Sequence, residues 1–513
     1  MASNVRSNNK RVFKNTIILY FRMFLIMGVT LYTSRVILSA LGVEDFGIYN
    51  VVGGVVSILG LVKGVMAGAS SRFLNIALGK EDAELAKKTF NISLCIYYAL
   101  AAVFLVLAET IGLWFLNNEL VIAESRMFAA NCVYQFTIVS AINHLIASPY
   151  NAAIIAHEKM NIFAYIGILE VVLKLLIVFG LFVSPFDHLI VYGLLLMLCD
   201  LLITMIYRVY CKRHYAECKF RIYKDKAMYK EILSYSGWNL FGSIAALVKG
   251  QGLNILLNMF FNPAVNASRA LSYQVNNAVN QFVHNFYTAV RPQITKYYAK
   301  NEFDNMFDLV CRSAKLSCFL FIFLTLPIMI ETPFIIKLWL GQLPENVIEF
   351  IRWILLISAL ESIQQPLKTT AQATGQVKVY ELTIGIITIL NIPISYSLLK
   401  WTLCPPLIVF QVSLCLASLC FISRLILLKK MVGFPIARYV NYVIVRGLIV
   451  VLVAALVPGY LHFVLNCDGN YFYSILTIVL SLICTVLSVG IIGLSKNEKK
   501  YLFETLKKKV AKK

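Results

Sequence analysis

Apolar runs of about 20 residues or longer follow one another along almost the whole of this sequence, and they are continuous rather than alternating. A helix that crosses a bilayer needs about 20 such residues, whereas a barrel strand alternates over about 10. In lipid every backbone N–H and C=O must be bonded within the protein, so with barrels excluded only helices remain. Composition agrees. The 513 residues are 59% hydrophobic and 14% charged, against about 45–50% and about 25% in a soluble domain. The expected fold is an all-α integral membrane protein.

Fourteen spans are expected, roughly 13–40, 46–76, 89–116, 121–147, 162–183, 188–211, 232–258, 265–290, 311–331, 349–371, 379–400, 406–428, 439–465 and 471–494. Several exceed the bilayer thickness and imply tilt. The alternate loops differ sharply in charge. One side, which includes both termini and the loop from Lys212 to Lys230, collects thirty Lys and Arg, while the other holds only Lys337 and Lys400. The positive-inside rule then puts both termini in the cytoplasm. This bias also explains the net charge of +21 without nucleic acid. The polar, basic stretch before Asn15 lacks the short apolar core and cleavage site of a signal peptide, so the first span is expected to stay in the protein.

The twelve cysteines form no C-x-x-C pair and sit mostly inside spans, which argues against a disulfide framework and a metal site. Only Cys404 and Cys467 fall on the outer side. An internal repeat organises the rest. Gly79-Lys80-Glu81-Asp82 and Ala299-Lys300-Asn301-Glu302 are 220 residues apart, and the run Pro149 to Phe163 resembles Pro366 to Tyr380 at an offset of 217. Two pseudo-symmetric six-helix lobes follow, about 1–230 and 231–430, with two further helices and a basic tail over 431–513. Repeats on this scale are typical of transporters whose substrate site lies where the halves meet.

Charges at membrane depth each cost at least about 2.5–3.5 kcal/mol and need a reason. The first two spans carry Arg22, Arg35 and Lys63, with Arg72 near one end. These bases suit a lining that attracts a phosphate-bearing substrate, with snorkelling to head groups as the alternative. Glu170 and Lys174 are spaced i, i+4, as an ion pair requires. Asp200 and Glu361 fall near the middle of their spans. Each is a candidate for proton or sodium coupling or else the partner of a nearby base.

The eighth span is the most polar. Arg269, Asn276, Asn280, His284 and Arg291 share one helical face, which lipid would not tolerate. The seventh adds Lys249, Gln251, Asn254 and Asn258. Amides and Arg suit sugar hydroxyls and phosphates, and they also serve as interhelical glue. There is no Walker A sequence, no nucleophile elbow and no dinucleotide fingerprint. Any transport must then draw on an ion gradient, the membrane potential or the substrate gradient, with no bound cofactor.

The stretches TSRVILSALGVEDFGIYNVVGG (33–54), SPYNAAIIAHEKMNIFAYIGILEVVLKL (148–175) and NASRALSYQVNNAVNQFVHNFYTAVRPQITKYYA (266–299) resemble the polysaccharide-transporter (Wzx-type) flippases. These share a superfamily, called MOP, with multidrug/toxic-compound extruders and lipid II flippases. The resemblance implies two six-helix lobes around a cationic cavity, alternating access, and an undecaprenyl-pyrophosphate-linked oligosaccharide as cargo. It implies a monomer in the bacterial inner membrane, with membrane lipids and the polysaccharide polymerase machinery as partners. Arg35, Arg269, Glu170 and Lys174 lie within these motifs. A small-molecule antiporter on the same scaffold is the competing expectation, but cationic drugs would favour an acidic interior, and here bases outnumber acids. A membrane polymerase or ligase would carry a large outer loop with catalytic residues, and the longest outer loop, roughly 331–349, is too short.

Overall fold

The structure is a computed structural model and describes residues 2–57, 59–118, 122–261, 263–341, 343–402, 404–465, 471–495 and 498–499. Cys467 and nearly all of the basic tail lie outside them. No strand occurs among the described residues. The chain runs α1 (Ala2–Ser57), α2 (Leu59–Gly79), α3 (Ala83–Leu107), which passes through a π-turn into α4 (Leu113–Asn118), α5 (Glu124–Ala156), α6 (Met160–Leu181) and α7 (His188–His214). It continues with α8 (Lys226–Phe260), α9 (Pro263–Ala299), α10 (Phe303–Ile330), the short α11 (Thr332–Leu340), α12 (Val347–Thr374), and α13 (Val377–Ile389) followed by α14 (Asn391–Thr402). It ends with α15 (Ile408–Val432), α16 (Ile436–Tyr439), α17 (Arg446–Leu465) and α18 (Tyr471–Ser488).

Ten helical runs among the described residues are long and apolar enough to cross a membrane. α9 and α12 have the length, at 37 and 28 residues, but carry too many amides and charges to be among the ten. Their polarity therefore has to be met by protein or water. α1 is broken at Gly42 (φ 76, ψ 173), where the sequence gap between residues 40 and 46 suggested an end. That φ is left-handed and suits a residue without a Cβ.

The two sequence repeats are repeats of backbone shape. Glu81 and Asn301, 220 apart, take φ 59 and 57, and Glu158 and Gly375, 217 apart, take φ 58 and 80. Each closes a helix in the left-handed conformation. At three of them the following N–H reaches back five residues, as in Asp82 to Ala77, Lys159 to Ile154 and Glu302 to Tyr297, which is the Schellman arrangement. Glu rarely adopts this conformation, so its recurrence at Glu81 and Glu158 marks turns that the surrounding structure dictates.

The chain forms two compact units. The first is Met1–Ser243 with Thr288–Glu302, and the second is Ile244–Tyr287 with Phe303–Lys513. In the first, α5 packs against α1, α2, α3, α6 and α7, around a core that includes Leu74, Phe90, Tyr150, Ile154 and Ile203. In the second, α12 packs against α10 and α15, and the buried side of α9 (Val279, Val283, Tyr287) meets Phe321, Ile351 and Leu355.

α17 and α18 pack on α10. The inner face of α18 is Ser474, Thr477, Ser481, Thr485 and Ser488, all buried, while Ile475, Val479, Ile483 and Val486 are exposed. Small hydroxyl residues inside and aliphatic residues outside reverse the soluble pattern. This is the arrangement expected where lipid is the solvent.

Candidate functional site

Polar groups gather at membrane depth in both units, with different outcomes. In the first unit α6 presents Phe163, Gly167, Glu170 and Lys174 one above the other, at helical spacing. Lys174 Nζ lies 2.7 Å from Glu170 Oε1 and 3.7 Å from Asp200 Oδ1 on α7. Asp200 Oδ2 is 3.2 Å from His144 Nε2 on α5. The neighbouring Asn143 donates to the Asp200 carbonyl (2.7 Å) and to Thr204 Oγ1 (2.8 Å). Three helices thus meet at one cluster, in which each carboxylate has a nitrogen partner. Burial alone would disfavour every charge in it; pairing lowers that cost.

Arg22 of α1 reaches the same face of α6. Its guanidinium lies 4.3 Å from the Phe163 ring centroid. A Cβ on Gly167 would come within 2.4 Å of Arg22 Nε, so glycine is what admits the side chain. Nε is buried and has no hydrogen-bond partner among the described residues. Arg22 is therefore less fully satisfied than Lys174. Arg72 is buried between the rings of Phe73 and Tyr235, 4.6 and 4.8 Å from their centroids. The side chains of Arg35 and Lys63 lie outside the described residues.

In the second unit Arg269 is turned inward. It donates to the Gly250 carbonyl (2.9 Å) and Asn254 Oδ1 (3.3 Å), with Tyr273 beneath it at 4.7 Å. Asn280 Nδ2 donates to Asn276 Oδ1 (3.0 Å) and Ser358 Oγ (3.4 Å). Arg269 and Asn276 are both only 8% exposed. Arg269 and Asn280, expected from spacing to line a cavity, bond to neighbouring helices, Asn276 bonds to Asn280 within α9, and Arg269 Nε is buried without a hydrogen-bond partner among the described residues. Lys249 is half-buried on α8, and Glu361 is exposed on α12. Arg291, the last member of the expected stripe, belongs to the first unit, where it donates to the Gly68 carbonyl at 3.4 Å.

The exposed polar face of α9 is instead Gln274, Asn277, Gln281 and His284. It sits one residue further round the helix, about 100° from the expected stripe, and shares only His284 with it. Its i, i+3, i+4 spacing gives a continuous strip. Lipid does not accommodate such a strip, so protein or water has to meet it. Gln251 and Asn258 on α8 and Gln365 on α12 are exposed as well.

Several charged or polar groups escaped the sequence reading. His144 was signalled only by two adjacent polar residues, Asn143-His144, inside an apolar run. On the first unit's other end, Arg126 bridges Asp45 (2.6 and 2.8 Å) and Asp187 (2.5 and 3.3 Å). The Arg126 guanidinium, together with the α7 backbone N–H groups, holds the Asp187 carboxyl below its ordinary pKa against the opposing effect of partial burial. In the second unit, Glu381 is buried beside Arg424, Lys368 and Gln372. No group of three or more His, Cys, Asp or Glu placed to hold a metal occurs among the described residues.

Comparison with known proteins follows the same lines. Residues 12–298, more than half of the chain, match the family described as polysaccharide biosynthesis protein. No curated protein matches. Among solved structures, a MATE transporter in the straight conformation is 14% identical and covers 83% of this chain and 97% of its own, with TM-score 0.69. An outward-facing multidrug resistance MATE family transporter of the MOP superfamily is 14% identical over 81% of this chain and 95% of its own, with TM-score 0.69. A mutant of the Vibrio cholerae MATE transporter VcmN is 15% identical over 83% and 98%, again at 0.69. At these identities the likeness establishes the fold. The chain belongs to the polysaccharide biosynthesis protein family and is a multi-pass membrane protein with the fold of these transporters.

Proposed function

We propose that this chain is a transporter, a flippase that moves an undecaprenyl-pyrophosphate-linked oligosaccharide from the cytoplasmic to the outer leaflet of a bacterial inner membrane by alternating access. Both termini are then cytoplasmic, and the cargo is an O-antigen, capsule or exopolysaccharide repeat unit delivered to a polymerase. The observation that carries the reading is the exposed strip of Gln274, Asn277, Gln281 and His284 on a helix too polar for lipid. Amides donate and accept at once, as sugar hydroxyls do, so a neutral amide strip suits a glycan and offers nothing to a lipid tail.

Cations serve the other end of the cargo. Arg22, Arg35, Lys63 and Lys249 are the bases proposed to meet the pyrophosphate. Arg22 has donor capacity left for it. Arg269, Asn276 and Asn280 then shape the α8–α9–α12 framework from behind. Lys174, Glu170, Asp200 and His144 form the cluster proposed to respond to a coupling proton or sodium ion, because two carboxylates there share a single lysine.

The test is complementation. A strain lacking its own flippase but supplying the matching glycan should regain surface glycan when this chain is expressed. Replacing Gln274, Asn277 and Gln281 together with alanine should lower display by about tenfold or more at unchanged protein level, given about 1 kcal/mol per lost hydrogen bond. Wild-type display from the triple variant would defeat the role given to the strip. Drug efflux without any effect on surface glycan would favour the antiporter.

A further inference from the structure

α17, in the second unit, is 20 residues long, about 30 Å at 1.5 Å per residue, which is the thickness of a hydrocarbon core. Tyr460 and Phe463 near its end are exposed, and so are Tyr471 and Phe472 at the start of α18. Exposed rings of this kind gather at a membrane–water interface. Arg446, the first residue of α17, therefore reaches the opposite interface. Every exposed residue of α17 between Arg446 and Tyr460 is aliphatic: Leu448, Ile449, Leu452, Val453, Leu456 and Val457.

At the Arg446 end positive charge is in surplus. Lys315 of α10 is fully buried, its Nζ 2.6 Å from Glu498 Oε2 and 4.0 Å from the Tyr442 ring centroid. Glu498 is fully engaged there. The Tyr442 hydroxyl donates to its Oε1 at 2.8 Å, and the Ser495 backbone N–H and hydroxyl donate to its Oε2 at 2.8 and 2.9 Å. Arg446 is half-buried over the same ring, its Cζ 4.8 Å from the centroid, and makes no hydrogen bond or ion pair among the described residues. Arg312, within electrostatic reach of Lys315 and Tyr442, shares Asp308 with Arg438. Four bases on α10, α16 and α17 thus share two carboxylates.

We infer that Arg446, with Arg312, holds the phosphate of an anionic phospholipid whose acyl chains lie along the exposed aliphatic face of α17. The inference rests on reading the chain as membrane-spanning, and on neither cargo nor coupling. A guanidinium offers phosphate a planar fork of donors, and that of Arg446 is not taken by any carboxylate. Lys315 lies behind it, buried, and adds positive potential without competing for the ligand. Anionic head groups supply the missing negative charge at this depth. A free anion would match the charge and leave the aliphatic face unused.

The full-length protein tests this by native mass spectrometry with added phosphatidylglycerol or phosphatidylcholine, and by melting temperature in nanodiscs. Wild type should retain phosphatidylglycerol in preference, and should melt higher in phosphatidylcholine discs containing phosphatidylglycerol than in phosphatidylcholine alone. Arg446→Gln should weaken phosphatidylglycerol retention about tenfold, the effect of one lost charged hydrogen bond, and Arg446→Lys should recover part of it. Arg312→Gln, on another helix, should lower retention as well and serves if Arg446→Gln does not fold. Lys429→Gln removes an equal charge from an exposed site and should leave retention unchanged. A wild type that does not distinguish the two lipids overturns the site, and so do equal losses from Lys429→Gln and Arg446→Gln. Inorganic phosphate should not reproduce the rise in melting temperature in phosphatidylcholine discs; if it does, the ligand is a free anion and the lipid assignment is overturned. No arm needs transport, so failure of the flippase reading leaves this result standing.

Discussion

The two units treat buried polarity in opposite ways. In the first, groups from α5, α6 and α7 are paired with one another: Lys174 with Glu170 and Asp200, and Asp200 with His144. In the second, α9 divides its polarity by face. Arg269, Asn276 and Asn280 bond inward, while Gln274, Asn277 and Gln281 stay open. On the proposed reading, paired charge serves the fold and the response to an ion, and open neutral amides serve recognition, because they carry no penalty that forces them to find a partner charge.

The largest expected effect breaks the first half of this contrast. Lys174→Ala removes the shared cation and leaves Glu170 and Asp200 facing each other. Deleting one partner of a buried pair costs about 3–5 kcal/mol, and the low end applies here because Lys174 is about a third exposed. Thermal unfolding in detergent should show this loss, and adding Glu170→Gln should recover part of it. A Lys174→Ala protein as stable as wild type would mean that the cluster is not held by pairing.

That cluster also shows what the sequence could reveal. Glu170 and Lys174 were legible as a pair because i, i+4 on one helix fixes their proximity. Asp200 and His144 lie on different helices, and nothing local joins them. The Gly42 break and the repeated turns at Glu81 and Asn301 were legible from a composition gap and an offset. On α9 the polarity was plain, but the exposed face was misplaced by one residue. Helical spacing groups residues into faces, and only the packing of α8 and α12 decides which face is covered.

Arg126 extends the rule of paired charge to the other end of the first unit. Arg126→Gln should cost about 1 kcal/mol at neutral pH, since the bridge is partly exposed and solvent screens it. The depressed Asp187 pKa fixes the sign. Its contribution is complete above the ordinary carboxylate value of 3.8 and fades as pH falls through the lower folded value. The stability gap between wild type and Arg126→Gln should therefore close below about pH 4. A gap that is constant with pH would assign the loss to packing.

The glue side of α9 should respond weakly. Asn280→Ala, which removes the bond to Ser358 of α12, should cost about 0.6 kcal/mol, the average for interhelical hydrogen bonds in membranes, and leave the choice of glycan unchanged. Replacing Gln274, Asn277 or Gln281 with leucine makes the sharper distinction. On a lipid-facing surface, leucine for an amide would stabilise the protein appreciably, because it removes a polar group from hydrocarbon. On a water-facing surface the change should stay within about 0.5 kcal/mol, as for other exposed substitutions. Stability unchanged and display lowered is the combination expected of a wetted strip that touches cargo. A marked gain in melting temperature would instead place these amides against lipid, and the difference between the two units would then be one of packing alone.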